Sequence, residues 1–262
     1  AAQFGIFFTI VVAIFFGFDI REAASIGIIG AADGPTAIFV SNQLAPNLLG
    51  PITVAAYSYM ALVPIIQPIA IKAVTTKAER RIRMTYKAEG VSKMTKILFP
   101  IIISIVAGFI APISLPLVGF LMFGNLLREC GVLDRLSLTA QNELVNIISI
   151  LLGLTISVKM QADLFLNFQT LMIIAFGLVA FIMDTIGGVL FAKLLNLFRT
   201  EKINPMIGGA GISAFPMSSR VIQKMATDED PQNFILMYAV GANVSGQIAS
   251  VIAGGLVLAF FS

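Results

Sequence analysis

Continuous apolar runs, separated by short polar, proline or glycine stretches, follow one another along this chain. Three of them, residues 48–74, 168–192 and 234–262, reach the roughly 20 residues that a helix needs to cross a bilayer. The runs do not alternate with a period of two, as the strands of a membrane barrel would. Shorter apolar runs cover residues 4–18, 23–32, 36–44, 97–111, 114–127 and 144–158. The pattern predicts an all-α, polytopic membrane protein.

The composition supports this prediction and narrows the chemistry. Only 12% of the residues are charged and 58% are hydrophobic, whereas a soluble domain carries about 25% charged residues. The single cysteine, Cys130, cannot form a disulfide within the chain, and the lack of histidine removes the usual near-neutral proton carrier. The net charge of +3 comes from cations in membrane-flanking loops, so it does not indicate binding of nucleic acid.

Two clusters of cations divide the chain. Residues 72–96 hold eight Lys or Arg residues, and residues 193–204 hold three. By the positive-inside rule both loops are cytoplasmic, which requires an even number of crossings, four, between them. The first loop either only sets the topology or also docks a soluble partner. We expect one membrane domain, with first-half segments in 1–71, further helices in 97–192, and a second break and last span in 205–262.

Two glycine-rich breaks interrupt the apolar pattern at matching places. IIGAADGPTAI begins at Ile28, and MIGGAGISAF begins at Met206, 178 residues later. Each leads through a polar connector with proline into a full-length span. Short broken segments at matching places in two halves point to a transporter site near the middle of the bilayer. We expect two repeat-related halves with re-entrant or discontinuous helices; close helix packing at small residues is the alternative.

Asp33 is the only charged residue between Ala23 and Ile71. A carboxylate at the centre of a bilayer costs about 2.5–3.5 kcal/mol on insertion scales, so it requires a reason. The carbonyl oxygens of an unwound turn, together with a carboxylate, suit a hard cation such as sodium. Alternatively, Asp before Gly-Pro-Thr is a good helix N-cap. We expect Asp33 to be an ion or proton site with capping as its second role.

Neutral polar residues are the next candidates. Asn204, Ser213 and Asn243 would supply oxygen ligands, or would hydrogen-bond neighbouring helices. Tyr57 and Tyr59 are more typical of packing or of the membrane interface, and Tyr59 is the better functional candidate of the two.

Two further charges need an explanation. Arg220 follows a stretch without charge, and it either meets an anionic substrate group or extends to the membrane interface. Asp184 lies close in sequence to Lys193 of the second basic loop, so we expect it near the membrane boundary.

Three motifs carry a resemblance that runs over essentially the whole chain. GAADGPTAIF, NPMIGGAGISAFPMSSRVIQK and YAVGANVSGQIASVIAGG resemble the β subunit of the biotin-dependent, sodium-pumping decarboxylases, which act on oxaloacetate, methylmalonyl-CoA, glutaconyl-CoA or malonate. The resemblance implies a subunit of the bacterial cytoplasmic membrane that decarboxylates carboxybiotin and exports Na+ while a proton is consumed. It also implies partners: a biotin-carrier and carboxyltransferase subunit, a small membrane anchor subunit, and further copies of the membrane subunit.

The resemblance also assigns roles to residues. It implies Asp33, Tyr59 and Arg220 as catalytic residues, with Arg220 holding the carboxylate of carboxybiotin. The sodium ligands that it implies are Asp33, Asn204, Gly208, Ser213 and Asn243. Alternation would come from one helix-break bundle moving against a scaffold, as in elevator-type transport. Family members have further membrane helices before the point where this chain begins, which fits a start without an initiator methionine.

Two other functions fit the same pattern. The first is a stand-alone, sodium-coupled secondary transporter of an organic anion, which would work in liposomes without a biotin-bearing partner. The second is a membrane scaffold without an ion site, which would leave Asp33 unexplained.

Overall fold

A computed structural model describes residues 1–85, 90–159 and 167–261 of the chain. In these ranges every regular element is helical, which confirms the all-α prediction. Parts of the predicted segments 72–96, 97–192 and 205–262, including Lys87, lie outside the described residues. The α-helices are α1 (Phe4–Phe15), α2 (Ile20–Gly27), α3 (Gly34–Leu44), α4 (Leu49–Val74), α5 (Lys77–Arg80), α6 (Lys93–Ile110), α7 (Leu115–Glu129), α8 (Asp134–Thr139), α9 (Val145–Lys159), α10 (Phe168–Phe198), α11 (Met217–Glu229) and α12 (Leu236–Phe261).

Within the described ranges, five helical stretches are long and apolar enough to cross a membrane, which confirms the polytopic prediction. They are Pro46–Val74, Lys93–Ile110, Asp134–Val158, Phe168–Phe198 and Leu236–Phe261. The fourth extends past its predicted end at residue 192, because Lys193 does not end the helix. Its Nζ donates a hydrogen bond to the carbonyl of Val74 at 3.0 Å and pairs with Glu79 at 3.0 Å, which ties the end of α10 to the end of α4.

The first break folds as a helical hairpin, residues 20–44, called here the first hairpin. The α2 helix runs into a 3₁₀ turn, Ile28–Ala31, after which Ala32 adopts a left-handed conformation with φ 52° and the chain returns through α3. Asn47, just after the hairpin, donates a hydrogen bond to Glu22 near its start at 3.0 Å. Both ends of the first hairpin therefore lie beside the beginning of α4.

The second break forms the second hairpin, residues 204–229. A 3₁₀ segment, Pro205–Gly211, leads to an extended turn, and α11 runs back. Both ends of this hairpin bind the segment after α4, since Asn204 Nδ2 donates to the carbonyl of Arg80 at 2.8 Å and Glu229 pairs with Arg80 at 2.6 Å. The two hairpins thus start at opposite ends of α4, a helix about 39 Å long at 1.5 Å per residue.

Helix α10 packs against α1, α4 and both 3₁₀ segments, and it forms the centre of this bundle. Glycines permit the closest approaches. A Cβ on Gly177 would lie 2.8 Å from Ile29 and from the ring of Tyr59, and Gly188 meets Gly208 of the second hairpin backbone to backbone. Helices α6–α9 form an outer layer, residues 93–159. That layer contacts the bundle mainly through α12, where Ala107, Val118 and Met122 pack with Val251.

Candidate functional site

The tips of the two hairpins meet. Ser213 Oγ donates a hydrogen bond to Asp33 Oδ2 at 3.0 Å, across 180 positions of sequence. The backbone N–H of Ser213 also donates to the carbonyl of Ala31 at 3.0 Å. Each tip therefore satisfies polar groups of the other. A carboxylate, a hydroxyl and an irregular backbone come together at one point inside the bundle.

Asp33 uses its two carboxylate oxygens differently. Oδ1 accepts a hydrogen bond from the backbone N–H of Thr36 at 3.2 Å, so Asp33 is the N-cap of α3 and Pro35 stands in the first turn. The capping contact expected from the sequence is therefore present. Oδ2 faces Ser213 instead, which leaves this second oxygen free of the capping role. Capping and ion binding are thus compatible uses of one side chain.

Asn243 of α12 reaches the same tip from the other side. Its Nδ2 donates to the carbonyl of Ile212 at 2.7 Å, next to Ser213 in the chain. The residue is fully buried, and its Oδ1 has no hydrogen-bond partner among the described residues. A buried oxygen without a partner costs about 1–3 kcal/mol. An additional cation or donor near Ile212 would remove this cost.

A cavity of about 360 Å³ lies beside Asp33. Its polar wall is made of Asp33, Thr36 and Ser213. The remaining wall comes from α4, α7, α12 and the tip of the second hairpin. Its side chains are Met60, Leu117, Phe120, Leu121, Phe215, Gln247 and Val251. Residues 32, 34 and 35 close the side near Asp33. The hairpin tips thus face a partly open cavity between the bundle and the outer layer.

The two tyrosines face different neighbours. The hydroxyl of Tyr59 donates to the carbonyl of Ile174 on α10, and the residue is buried. Tyr57 lies against the start of α3 instead, where a Cβ on Gly34 would be 2.5 Å from its ring and 2.9 Å from its hydroxyl. Tyr57 is therefore the tyrosine beside Asp33. A catalytic role of Tyr59 stays a prediction.

Asn204 and Gly208 lie in the arm of the second hairpin. Asn204 Nδ2 donates to the carbonyls of Arg80 at 2.8 Å and Ile82 at 3.0 Å, and its Oδ1 accepts from Met206 N at 3.1 Å. Gly208 packs against Gly188 of α10. In this conformation both residues hold the hairpin in place, and their role as sodium ligands stays a prediction.

The two other charged candidates lie in contrasting places. Arg220 is exposed in the first turns of α11, and its guanidinium forms no ion pair within the described ranges. Asp184 is fully buried inside the bundle, and its expected position near the membrane boundary stays a prediction. Its Oδ1 accepts from Gly5 N at 2.5 Å, and a Cβ on Gly30 would be 2.8 Å from its Oδ2. Glycines in α1 and in the first hairpin make room for this carboxyl.

Sequence reasoning missed Gln67. This fully buried residue of α4 donates from Nε2 to the carbonyl of Gly209 at 2.8 Å and to Ser218 Oγ at 2.6 Å, so it joins the two arms of the second hairpin. The signal was available, since Gln67 is an amide between Pro64 and Pro68 in an apolar run. Its partners, however, lie about 150 positions away, and nothing local to α4 indicates them.

Ion pairs fasten the base of the second hairpin to the segment after α4. Arg80 Nε binds Glu229 and Arg83 Nε binds Asp230, each at 2.6 Å. The hydrogen bond from Arg80 lowers the pKa of Glu229, and that from Arg83 lowers the pKa of Asp230. Because both pKa values fall on folding, the pairs stabilise this clamp above the ordinary carboxyl range and cease to do so as the pH falls through the lowered values.

The clamp is expected to open in acid. With ordinary carboxyl pKa values of about 4, it should be intact at pH 7 and loosen below about pH 4. Spin labels at Ala78 and Asp228, with Cys130 replaced by Ser, would measure this by electron resonance. We expect a narrow distance distribution at pH 7 that broadens as the pH falls through the lowered carboxyl pKa values, and a smaller broadening at pH 7 in Glu229→Gln, which removes one of the two pairs. A distribution at pH 7 that is the same in Glu229→Gln and in the wild type would contradict the role of the Arg80–Glu229 pair.

Comparison with known proteins gives a consistent match. A family described as Na+-transporting oxaloacetate decarboxylase beta subunit matches residues 1–261. The oxaloacetate decarboxylase beta chain of Klebsiella pneumoniae is 54% identical over 266 residues, covering 99% of this chain and 61% of the relative. The methylmalonyl-CoA decarboxylase subunit beta of Propionigenium modestum is 54% identical over 262 residues, covering 100% and 66%. The glutaconyl-CoA decarboxylase subunit beta of Acidaminococcus fermentans is 49% identical over 259 residues, covering 99% and 69%.

The chain spans about 61% of the length of the oxaloacetate decarboxylase beta chains that it matches. The match nevertheless includes both hairpins and all the candidate site residues, since it runs from residue 1 to residue 261. The resemblance inferred from the three motifs is therefore confirmed. The chain belongs to the family of Na+-transporting oxaloacetate decarboxylase beta subunits.

Proposed function

We propose that this chain belongs to the membrane subunit of a sodium-pumping decarboxylase. The subunit decarboxylates carboxybiotin that a partner delivers, and it couples this reaction to Na+ export and proton uptake. The observation that carries the proposal is the contact between Asp33 and Ser213 at the meeting point of two hairpins. Membership of the family supports the same proposed function.

Sodium binds, in this proposal, at the joined tips. Asp33 Oδ2 supplies the charge, Ser213 Oγ a hydroxyl, and Asn243 Oδ1 an amide oxygen that otherwise has no partner. These are hard oxygen ligands of the kind that small cations prefer. Asn204 and Gly208 contribute by holding the second hairpin against Arg80 and Gly188, so that Ser213 stays opposite Asp33.

Carboxybiotin approaches from the side of Arg220. An exposed guanidinium without an ion pair among the described residues can bind its carboxylate. Loss of CO2 leaves a nitrogen anion that needs a proton, and Asp33 or a water path linked to Tyr57 or Tyr59 is the source that this chain offers in place of histidine. Competition of Na+ and a proton for one carboxylate would couple decarboxylation to transport.

We propose that two units of opposite orientation, an inverted repeat, permit alternating access. The unit formed by α1, the first hairpin and α4 corresponds to the unit formed by α10, the second hairpin and α12. The hairpins begin at opposite ends of α4, as two units of opposite orientation require. The outer layer contacts this bundle mainly through α12. We infer elevator-type motion of the bundle against the outer layer.

Partners and orientation follow from the charge and from the relatives. Loops 72–96 and 193–204 lie in the cytoplasm of a bacterial cell, where a biotin-carrier and carboxyltransferase subunit reaches Arg220. A small membrane anchor subunit and further copies of the membrane subunit complete the complex. Since the named relatives serve oxaloacetate, methylmalonyl-CoA and glutaconyl-CoA, the acyl substrate is chosen by another subunit.

The test uses the full-length subunit in detergent with free carboxybiotin. We expect CO2 release that Na+ stimulates. The same subunit in liposomes should move Na+ only when carboxybiotin is present, and it should not couple Na+ uptake to an organic anion. Anion-coupled Na+ uptake without carboxybiotin, and no CO2 release, would replace this proposal with a stand-alone carrier.

A further inference from the structure

A second cavity, called here the lysine groove, lies at the end of α10. Its volume is about 530 Å³, within the range of about 300–1,000 Å³ typical of small-molecule pockets. Its wall combines three leucines of α10 with two lysines and a glutamate, which are Leu190, Leu194, Leu197, Lys193, Lys202 and Glu79. None of these six residues lines the cavity beside Asp33 or belongs to the proposed sodium site. The function proposed above therefore leaves the lysine groove unexplained.

The apolar part of the groove is a side of α10 that the protein leaves uncovered. Leu190, Leu194 and Leu197 are spaced i, i+4 and i+7, so they share one side of the helix. They are 48%, 49% and 75% exposed. Because α10 is long and apolar enough to cross a membrane, an uncovered apolar side of it contacts acyl chains in the bilayer.

The polar part of the groove has hydrogen-bond donors to spare. A lysine ammonium has three N–H donors. Lys193 Nζ uses two of them, on the carbonyl of Val74 and on Glu79, each at 3.0 Å. Lys202 Nζ uses one, on the carbonyl of Asn196, and within the described ranges it forms no ion pair. Two cations thus face one carboxylate, which favours a ligand with acceptor oxygens and one net negative charge.

We propose that the lysine groove binds the headgroup of an anionic phospholipid, whose acyl chains lie along the leucines of α10. Phosphatidylglycerol has this chemistry, since its phosphodiester carries one negative charge and its headgroup has no ammonium. Lys193 and Lys202 donate to the phosphate oxygens, as basic pockets between membrane helices do for other anionic lipids. A zwitterionic phospholipid brings an ammonium that the two lysines repel. A free phosphate would leave the leucines uncovered.

The location of the groove gives this binding a consequence. Lys193 and Glu79 tie the end of α10 to the segment after α4, and Arg80 of the same segment binds Glu229 at the base of the second hairpin. A phospholipid that binds this junction only when it is formed stabilises it by mass action. The inference requires that α10 crosses a membrane, and it is independent of the reaction that the subunit performs.

The test measures lipid binding to the full-length subunit, purified in detergent and stripped of lipid. The probes are dioleoylphosphatidylglycerol and dioleoylphosphatidylcholine, which share their acyl chains and differ in headgroup charge. Native mass spectrometry at increasing lipid concentrations gives the dissociation constant of the first bound lipid. We expect the phosphatidylglycerol to bind at least about fivefold more tightly, as one basic residue near an anionic headgroup predicts.

Two substitutions should move this affinity in opposite directions. Lys202→Gln removes a cation from an exposed side chain and should weaken phosphatidylglycerol binding about fivefold. Glu79→Gln should strengthen it, because it removes the carboxylate that pairs with Lys193, while glutamine can still complete the capping box with Thr76. Lys72→Gln, at an exposed lysine near the end of α4 that does not line the groove, is the matched control and should bind as the wild type does.

A preference for phosphatidylglycerol that Lys202→Gln lowers and Glu79→Gln raises supports the proposal, whether or not the subunit decarboxylates carboxybiotin. Equal affinity for the two lipids overturns it. An equal loss in Lys72→Gln and Lys202→Gln would mean a diffuse effect of surface charge, which overturns the assignment to the groove. Displacement of the lipid by an equal concentration of glycerophosphoglycerol, its headgroup without acyl chains, would mean a site for a soluble anion. An altered oligomeric state of Lys202→Gln with unchanged lipid affinity would place a second copy of the chain in the groove, and either result overturns the lipid assignment.

Discussion

Asp33→Asn is expected to reduce Na+-stimulated decarboxylation strongly while the protein still folds. The substitution removes one charge and retains the shape of the side chain. Asparagine is as good an N-cap as aspartate, so the contact with Thr36 N survives. Ser213 Oγ can still donate to an amide oxygen. Stability should therefore change little, and the effect should fall on the ion.

The size of the loss can be estimated from the interaction removed. A charge-assisted contact is worth about 1.5–3 kcal/mol, and each 1.36 kcal/mol is tenfold in rate. We expect the Na+-stimulated rate of CO2 release at a fixed Na+ concentration to fall by about a hundredfold. CO2 release from carboxybiotin by the full-length subunit at increasing Na+ concentrations would measure it, with thermal unfolding as the check on folding.

Asp19→Asn is the matched control. Asp19 is also an aspartate N-cap, accepting from Arg21 N at 3.0 Å at the start of α2, but it is exposed. It should retain the wild-type Na+ response. If Asp33→Asn kept the wild-type Na+ response too, Asp33 would be a cap only, and the sodium site would have to be sought elsewhere.

Part of the site could be predicted from the sequence, because a charged residue within an apolar run is unusual. Asp33 stood out for its energetic cost, and Ser213 for its place in the matching break. That the two make contact is a tertiary fact, since it depends on hairpins that begin at opposite ends of α4. The weak sequence similarity of the two breaks indicated that they occupy matching places in the two halves. It could not indicate that their tips make contact.

The direction in which each side chain leaves α4 determines which of the two tyrosines lies beside Asp33. Tyr57 and Tyr59 are two residues apart on α4, which places their side chains about 200° apart. The sequence offers no reference for that angle, since the apolar residues of α4 surround the whole helix. Tyr59 faces Ile174 and Tyr57 faces Gly34, and only packing reveals this.

Asp184 illustrates a different limit. Its distance of nine positions from Lys193 suggested the membrane boundary, but it gave no sign that the side chain is fully buried in the protein. The carboxyl accepts from Gly5 N and lies next to Gly30. Both partners are glycines distant in sequence, so a local pattern around residue 184 could not indicate them.

Gly208→Ala is expected to destabilise the second hairpin and to impair decarboxylation. A Cβ at residue 208 would overlap the backbone carbonyl of Gly188, and a Cβ at residue 188 would overlap the carbonyl of Gly208. A backbone atom cannot rotate away, so α10 and the hairpin must separate. Overpacking costs about 1–3 kcal/mol, and we expect the upper part of this range. Thermal unfolding of the full-length subunit would measure the loss, with Gly241→Ala, where a Cβ meets no atom within 4 Å, as the control.

The double variant, Gly188→Ala with Gly208→Ala, tests whether the two glycines act through one shared contact. Gly208→Ala alone already forces the two backbones apart, so adding Gly188→Ala meets a gap that has been opened. Each variant loses part of the free energy of unfolding. The sum of the losses in the two single variants should therefore exceed the loss in the double variant. Residues in contact typically show such interaction energies of about 0.5–3 kcal/mol, whereas independent sites add within about 0.5 kcal/mol. Additive losses would mean that Gly188 and Gly208 act separately, and that the second hairpin is not held against α10 at this point.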